Sequence, residues 1–418
     1  MPTYRPPTKG AQVPEVSAVD GFAWRRIAIP AFGPTLLTAA ATGAVVPIAA
    51  LRADELGADL GTAAFVVALT GVGQLIGVLP AGALVARIGE RATLWRAAVV
   101  DILALAVAGW APSLWLMGVA LLLSGFASSA FFLARQGFMI DVLPPPLLAR
   151  GMSLLGGAMR TGLLLGPAIG SLAIAPMGLQ GAYAVAVALA VGSLITVLAS
   201  PDLTREHERV RAEEPHAAVL QVIRRHARLL LTQGVGVTII SALRTSRLVI
   251  LPLWAVQIGL GGVDSSQIFV AAGVAELVLV YPGGWAMDRL GRVWVVATLL
   301  SVISLSFLLL PLAETKGTLL AVALLMSLGN GLGSGIVMTL GADAAPTHDR
   351  AQFLGAWRLM GEAGNAGGSL GLSAVTALVS LPAAALSLGV VGLAGLAWTS
   401  VWVSRADGER ADAALRAS

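Results

Sequence analysis

Apolar runs recur along this chain at nearly even spacing, each about as long as the roughly 20 residues that a helix needs to cross the hydrocarbon of a bilayer. The pattern predicts twelve helices, over 27–50, 61–85, 94–111, 114–134, 151–175, 179–199, 230–257, 265–287, 293–313, 318–341, 351–378 and 382–404. The polar turns between them are short, with one exception. Residues 201–228, beginning Pro201-Asp-Leu-Thr-Arg-Glu-His-Glu-Arg, are densely charged and divide the helices six and six. Such a charge run reads as a solvated linker between two bundles, and within it 217–225 is amphipathic enough to lie on a surface. The expected organisation is therefore a polar tail over 1–24, a bundle over 25–200, the linker, a second bundle over 229–405 and a tail over 406–418. The opening tail is polar and proline-containing and lacks the apolar core of a signal peptide.

Composition sharpens this into an all-α polytopic membrane protein. Only 12% of the residues are charged and 57% are hydrophobic, with a mean hydropathy of +0.84, whereas soluble domains carry about a quarter charged residues. The net charge of +4 is read as arginine placed for topology, not as a nucleic-acid footprint. Arg25/Arg26, Arg87/Arg91/Arg96, Arg135/Arg150, the 202–228 segment, Arg289/Arg292, Arg350 and Arg405/Arg410 fall on one side of the predicted bundle, and only Arg52 and Lys316 on the other. Basic residues favour the cytoplasmic side, so both termini are expected there. All ten tryptophans fall near predicted helix ends, as interfacial belts require, and the four histidines fall in cytoplasmic loops. The chain has no cysteine, so disulfides and thiolate metal sites are excluded. No metal, cofactor or enzymatic chemistry is expected. The arginine- and alanine-rich usage points to a GC-rich bacterial genome; the expected location is a bacterial cytoplasmic membrane and the expected state a monomer.

An internal repeat runs through the pattern. Leu79-Pro-Ala-Gly-Ala-Leu-Val-Ala-Arg-Ile-Gly-Glu-Arg91 aligns without gaps on Tyr281-Pro-Gly-Gly-Trp-Ala-Met-Asp-Arg-Leu-Gly-Arg292 and the residue beyond it. Pro80/Pro282, Gly82/Gly284, Arg87/Arg289 and Gly89/Gly291 each lie 202 residues apart. A second echo, offset by 198, matches Gly157-Ala-Met-Arg160 and Gly166-x-x-x-Gly170 to Gly355-Ala-Trp-Arg358 and Gly364-x-x-x-Gly368. Self-similarity at nearly half the chain length indicates a duplicated architecture. The pattern Gly284-x-x-x-Asp288-Arg289-x-Gly291-Arg292, between two predicted membrane helices, resembles the signature loop of the major facilitator superfamily. The resemblance implies two six-helix bundles that rock about a central site near the midplane, with these loops as a cytoplasmic gate. The second copy is complete. The first keeps Gly82, Arg87, Gly89 and Arg91 but has Ala86 where the family carries aspartate, and Glu90 where a basic residue is usual.

The fifth predicted helix contains Gly162-x-x-x-Gly166-Pro167-x-x-Gly170. Small residues four apart let helices approach closely and proline kinks one of them. The full pattern is similar to the fifth-helix motif of the drug:proton antiporter branch, with Ser171 where a second glycine is usual. That resemblance implies efflux. A family feature of helix four, Arg-x-x-Gln-Gly, is replaced by Leu121-Leu-Leu-Ser124-Gly125, which argues against proton antiport by the usual route.

Charges inside membrane helices cost several kcal/mol and mark candidate sites. Near the midplane lie Arg244 and Arg247, Glu276 and Glu362, with Gln74 the repeat partner of Glu276. Nearer the arginine side are Asp101, Arg135, Arg160 and Arg358, expected to form a charge network in which Asp101 pairs with Arg135 or Arg160, and Arg358 with Glu362 at i,i+4. Gln74, Arg244, Arg247 and Glu276 are the candidate substrate contacts. Glu276, Glu362 and Asp101 are the candidate proton carriers, with a static Glu276 pair to Arg244 or Arg247 as the competing reading. No phosphate-binding loop is present, so ATP is not the expected energy source. The expected function is proton-coupled efflux of small organic molecules. The arginine pair motivates an alternative, proton-coupled uptake of an anionic metabolite. A sensor or scaffold without transport is a further alternative, disfavoured by the short loops.

Overall fold

The computed structural model describes residues 24–142, 145–200, 224–345 and 350–417. Among these every regular element is helical, and the helices fall on the segments that the apolar runs mark. In the first half of the chain they are α1 (Trp24–Val45), α2 (Ala49–Glu55), α3 (Leu60–Ile88), α4 (Glu90–Trp110), α5 (Leu114–Val142), α6 (Pro145–Met177) and α7 (Leu179–Ala199). In the second half they are α8 (Val235–Gln257), α9 (Gly262–Leu290), α10 (Arg292–Leu309), α11 (Lys316–Leu332), α12 (Ile336–Ala344), α13 (Arg350–Leu378) and α14 (Leu381–Ala417). A π-helical turn, Leu230–Gly234, leads into α8.

Ten of the helical spans are long and apolar enough to cross a membrane, or eleven if α1 and α2, which meet at 41°, form one bent span. The expected twelve thus shrinks by this measure. The reason lies in α13: it runs for 29 residues, but Arg358, Glu362, Asn365 and its many glycines lower its apolarity.

Two expected helices are broken. The run 27–50 stops at Val45 and resumes at Ala49, and 318–341 is interrupted at Gly333–Gly335, where Gly335 adopts φ +87°. A left-handed residue ends a helix by turning the chain out of register, and glycine does so without a Cβ clash. The opposite correction applies to the two repeated loops. Each contracts to one residue, Gly89 (φ +82°) and Gly291 (φ +87°), which closes one helix and opens the next. The matching dihedrals, ψ 166° and 168°, show that the repeat is one of backbone geometry. At the end of the chain α14 continues to Ala417, beyond the boundary at 405 expected for the tail. The 1–23 segment, most of the linker including 217–223, and His207, His216 and His348 lie outside the described residues.

Packing follows the small residues. In the first half, α6 presses on α1: a Cβ at Gly162 would stand 2.3 Å from the Leu36 carbonyl oxygen, and one at Gly166 2.2 Å from that of Ala40. In the second half α13 presses on α8 in the same way, with Gly364 against the Thr238 carbonyl (2.2 Å) and Gly368 against that of Ala242 (2.5 Å). The fifth-helix glycines therefore serve close helix approach within their own half.

The halves meet through α3 with α13 and α6 with α9. Near the face away from the arginine turns the join is polar and tight. Ser265 Oγ donates to the Pro47 carbonyl at 2.7 Å and Ser373 Oγ to that of Gly61 at 3.2 Å. Toward the arginine face, Cβ atoms at Gly157, Gly284 and Gly355 would meet nothing within 4 Å. A polar contact spans the halves on that side: Arg358 Nη1 donates to Gln136 Oε1 at 2.7 Å.

Two tryptophans depart from the belt expected of them. Trp254 and Trp357 are buried, 2% and 3% exposed, and donate their indole N–H to the carbonyls of Ala313 and Val337. A position near a helix end does not decide whether an indole faces lipid or the bundle. A buried indole N–H needs an acceptor, and here each finds one at the end or break of another helix.

Candidate functional site

Between the halves lies a cavity of about 220 Å³. Its walls come from α1, α6, α8, α9 and α11. Most of the lining is apolar, and the polar exceptions are Arg160 on α6, Arg244, Thr245 and Arg247 on α8, Glu276 on α9 and Asn330 on α11. A mainly apolar concavity with a few convergent polar groups is the usual form of a small-molecule site.

The second half supplies the firmest polar contacts. Arg247 Nη2 and Glu276 Oε2 form an ion pair at 2.8 Å, and Arg247 Nη1 donates to Ser327 Oγ at 3.0 Å. The side chains are 10% and 22% exposed, so this is a buried pair, in which loss of one partner strands the other charge. The static pairing is thus the geometry in which Glu276 stands. Arg244 Nη2 donates to the Gly333 carbonyl at 2.7 Å. That carbonyl sits at the break between α11 and α12, where it also accepts from the Ile336 N–H at 3.1 Å, so the arginine takes its second lone pair. The cavity arginine therefore holds the end of a broken helix.

From the cavity a polar chain leads toward the first half. Thr245 Oγ1 donates to Asn365 Oδ1 at 2.7 Å, and Asn365 Nδ2 donates to Glu362 Oε2 at 3.0 Å. Glu362 Oε1 stands 4.0 Å from Arg358 Nε, and Arg358 reaches Gln136 of α5. The expected i,i+4 pair is present but long, and Glu362 belongs to this chain without lining the cavity. Gln74 does not line it either, although it is the repeat partner of Glu276.

The first-half network differs from the expected one. Asp101 is buried and accepts from Ser124 Oγ at 2.6 Å. It faces neither Arg135 nor Arg160, and the small recess beside it lies within the first half, between Thr38, Ala97, Ser128 and Phe131. Arg135 is buried as well, and its guanidinium donates to the carbonyls of Pro30 and Ala31. Pro34 has no N–H to give the Pro30 carbonyl four residues earlier, so the arginine supplies that missing donor. Arg135 thus meets backbone carbonyls of α1 in place of the expected carboxylate. Arg160 turns into the cavity.

The repeated turns hold their charges differently. In the first, Arg87 is exposed, Arg91 Nη2 donates to the Leu198 carbonyl at 3.0 Å, and Glu90 is buried in the first turn of α4, where the helix dipole favours an acid. In the second, Arg292 Nε pairs with Asp343 Oδ2 at 3.0 Å, Arg289 lies over the Trp285 ring, and Asp288 is exposed. Thr245, Gln136, Ser327, Asn330 and Asn365 were missed by sequence reasoning, which weighed formal charges. The available signal was a polar side chain inside an apolar run, plainest in Gly329-Asn330-Gly331. Among the described residues no cluster of acids and histidines is placed to hold a metal ion.

Comparison with known proteins agrees with this arrangement. The "Uncharacterized MFS-type transporter YfkF" of Bacillus subtilis (strain 168) is 32% identical over 142 residues, 34% of this chain and 35% of that protein. The "Multidrug resistance protein MdtG" of Citrobacter koseri is 26% identical over 164 residues, 38% of this chain and 40% of that protein. The matched stretches thus span well under half of either relative. Two crystal structures of POT family transporters, one in complex with a thioalcohol conjugated peptide and one with 5-aminolevulinic acid, superpose with TM-scores of 0.75 and 0.72. Each is 12% identical and covers 91% of this chain and 96% of the other, which is a likeness of fold. The model of the Major Facilitator Superfamily matches residues 32–369 and again 234–415, the second match beginning where the second half begins. A duplicated bundle with a cavity at its join, matched over nearly its whole length, belongs to the Major Facilitator Superfamily.

Proposed function

We propose that this chain is a secondary active transporter, with twelve spans and both termini in the cytoplasm, that exports small organic molecules in exchange for protons. The observation that carries the reading is the cavity shared by α6 of one half and α8 and α9 of the other. A site built from both halves is reshaped when the halves rock, which is the requirement of alternating access. With the arginine face cytoplasmic, the Ser265–Pro47 and Ser373–Gly61 contacts close the outer side, and the splayed glycines mark the side that faces in. Similarity to a multidrug resistance protein and the Gly162–Gly170 motif support export.

Glu276 is the carboxylate of the cavity and the proposed proton carrier. Protonation would dissolve its pair with Arg247 and change the charge of the site, and a ligand can shift the conformational balance only through such differential contacts. The test is transport in proteoliposomes under an imposed pH gradient. Export should collapse with the gradient and in Glu276→Gln. Transport indifferent to both would remove the coupling proposal. The second reading, uptake of an anion with protons, draws on the cavity arginines, and the direction of accumulation in right-side-out vesicles separates it from export.

A further inference from the structure

We infer that the ligand of this cavity is a small amphipathic organic anion, whose oxyanion is gripped between Arg160 of the first half and Arg244 of the second. The inference rests on the transport reading for its site, and adds to it the chemistry of the cargo.

Charge balance in the cavity is the starting point. Three guanidinium groups line it against one carboxylate. Glu276 is committed to Arg247 at 2.8 Å. Arg244 has a carbonyl partner, Gly333, and a dipole does not neutralise a cation. Arg160 makes no hydrogen bond or ion pair with the described residues. Among the described residues two positive charges are therefore left without a counter-charge in a mostly apolar cavity, where uncompensated charge is costly. An anionic ligand offsets that cost. A neutral one leaves it in place, and a cationic one raises it.

The geometry adds a class and a size. Guanidinium is a planar fork that matches the two oxygens of a carboxylate or the face of a phosphate. The remaining lining, including Leu163, Leu164, Leu251 and Phe269, suits an apolar body. At about 220 Å³ the cavity falls below the roughly 300–1,000 Å³ of drug-sized sites, so the body is short. Because one arginine comes from each half, a bound oxyanion ties the halves together across the cavity. It also competes with the Gly333 carbonyl for Arg244, which links occupancy to the break between α11 and α12.

The test uses the purified full chain and three probes of nearly equal size: 4-phenylbutyrate, 4-phenylbutyramide and 4-phenylbutylammonium. Ligand-induced thermal stabilisation is titrated for each. The carboxylate should stabilise at concentrations at least tenfold below those needed for the amide, and the ammonium should be weakest. Arg160→Gln should erase that preference, and Arg160→Lys, which keeps the charge and loses the fork, should retain part of it. An equal or weaker response to the carboxylate, no response to any probe, or an unchanged preference in a folded Arg160→Gln protein would each overturn the inference. Proteoliposome flux separates this from the transport reading. Preference for the anion without flux leaves the binding inference standing and sinks transport, whereas flux of the amide or ammonium in place of the carboxylate does the reverse.

Discussion

The two halves share their backbone devices and differ in what they do with charge. Each places a positive-φ glycine between its second and third spans, Gly89 in one and Gly291 in the other. Each presses two glycines of a long helix onto the first long helix of its half. Yet the second half furnishes Arg244, Arg247, Glu276 and Asn330 to the cavity, while the first adds one charge, Arg160. At the position of Glu276 the first half has Gln74, and one of its buried acids, Asp101, bonds to Ser124 inside the half. Duplication supplied a scaffold, and divergence on it made a lopsided site. The close contacts are kept in both copies, whereas the charges of the cavity come mostly from the second half.

The largest test of that asymmetry is at the matched pair Glu276 and Gln74. Glu276→Ala strands the buried Arg247, which costs about 3–5 kcal/mol when one partner of such a pair is removed, and thermal unfolding should show it. Gln74→Ala should change stability by less than about 1 kcal/mol, as surface-like substitutions do. Equal losses would mean that the two positions remain equivalent.

The glycines make the converse test, in which the halves should behave alike. Gly166→Ala and Gly364→Ala each drive a Cβ to 2.2 Å from a backbone oxygen, and overpacking of this kind costs about 1–3 kcal/mol. Gly157→Ala and Gly355→Ala, also repeat partners, meet nothing within 4 Å and should be neutral or slightly stabilising in the same unfolding assay. A tolerant Gly364→Ala would break the symmetry.

At the repeated turns the acid is present in one copy only. Asp288→Asn should lower transport by at least about tenfold, equivalent to about 1.4 kcal/mol in a barrier, while Ala86→Asp should change it less than twofold. Initial rates in proteoliposomes decide the matter, and equal tolerance would reduce both turns to topology anchors.

The smallest effect concerns the entries of the second spans. Asp59 caps α3 by accepting from the Thr62 N–H at 2.7 Å, whereas its repeat partner Gly261 caps α9 without a side chain. That hydrogen bond holds the Asp59 carboxyl below its ordinary 3.8. Its contribution is therefore complete above the ordinary carboxyl range and is lost as pH falls through that range and below. Asp59→Ala should cost about 1 kcal/mol near neutrality, and the gap from the unaltered chain should close in acid unfolding titrations. A gap that persists below the carboxyl range would assign the cost to something other than the cap.

Much of the fold was legible from periodicity. Apolar length located the helices, and the 202-residue offset located the paired turns, because both depend on local composition and backbone steric demands. The polarity of α13, visible in Arg358, Glu362 and Asn365, could have warned that this segment would fall short as an apolar span. Asp101 was misread for a different reason. Its partner Ser124 is a neutral hydroxyl 23 residues away, and Arg135 meets a carbonyl that Pro34 left without a donor. Electrostatic bookkeeping in sequence pairs opposite charges, whereas a packed bundle first satisfies the groups that cannot reach water.

The sequence by itself determined that this is a duplicated helical membrane protein. Hydrophobic length and glycine spacing act locally, and each leaves its trace in the order of residues. The tertiary structure alone decided which intramembrane charges meet. Arg247 finds Glu276, Arg244 takes a carbonyl at a helix break, and Arg160 turns to the cavity. Those outcomes depend on how the helices rotate about their axes and where they break, and a rotation of one helical position moves a side chain by about 100°.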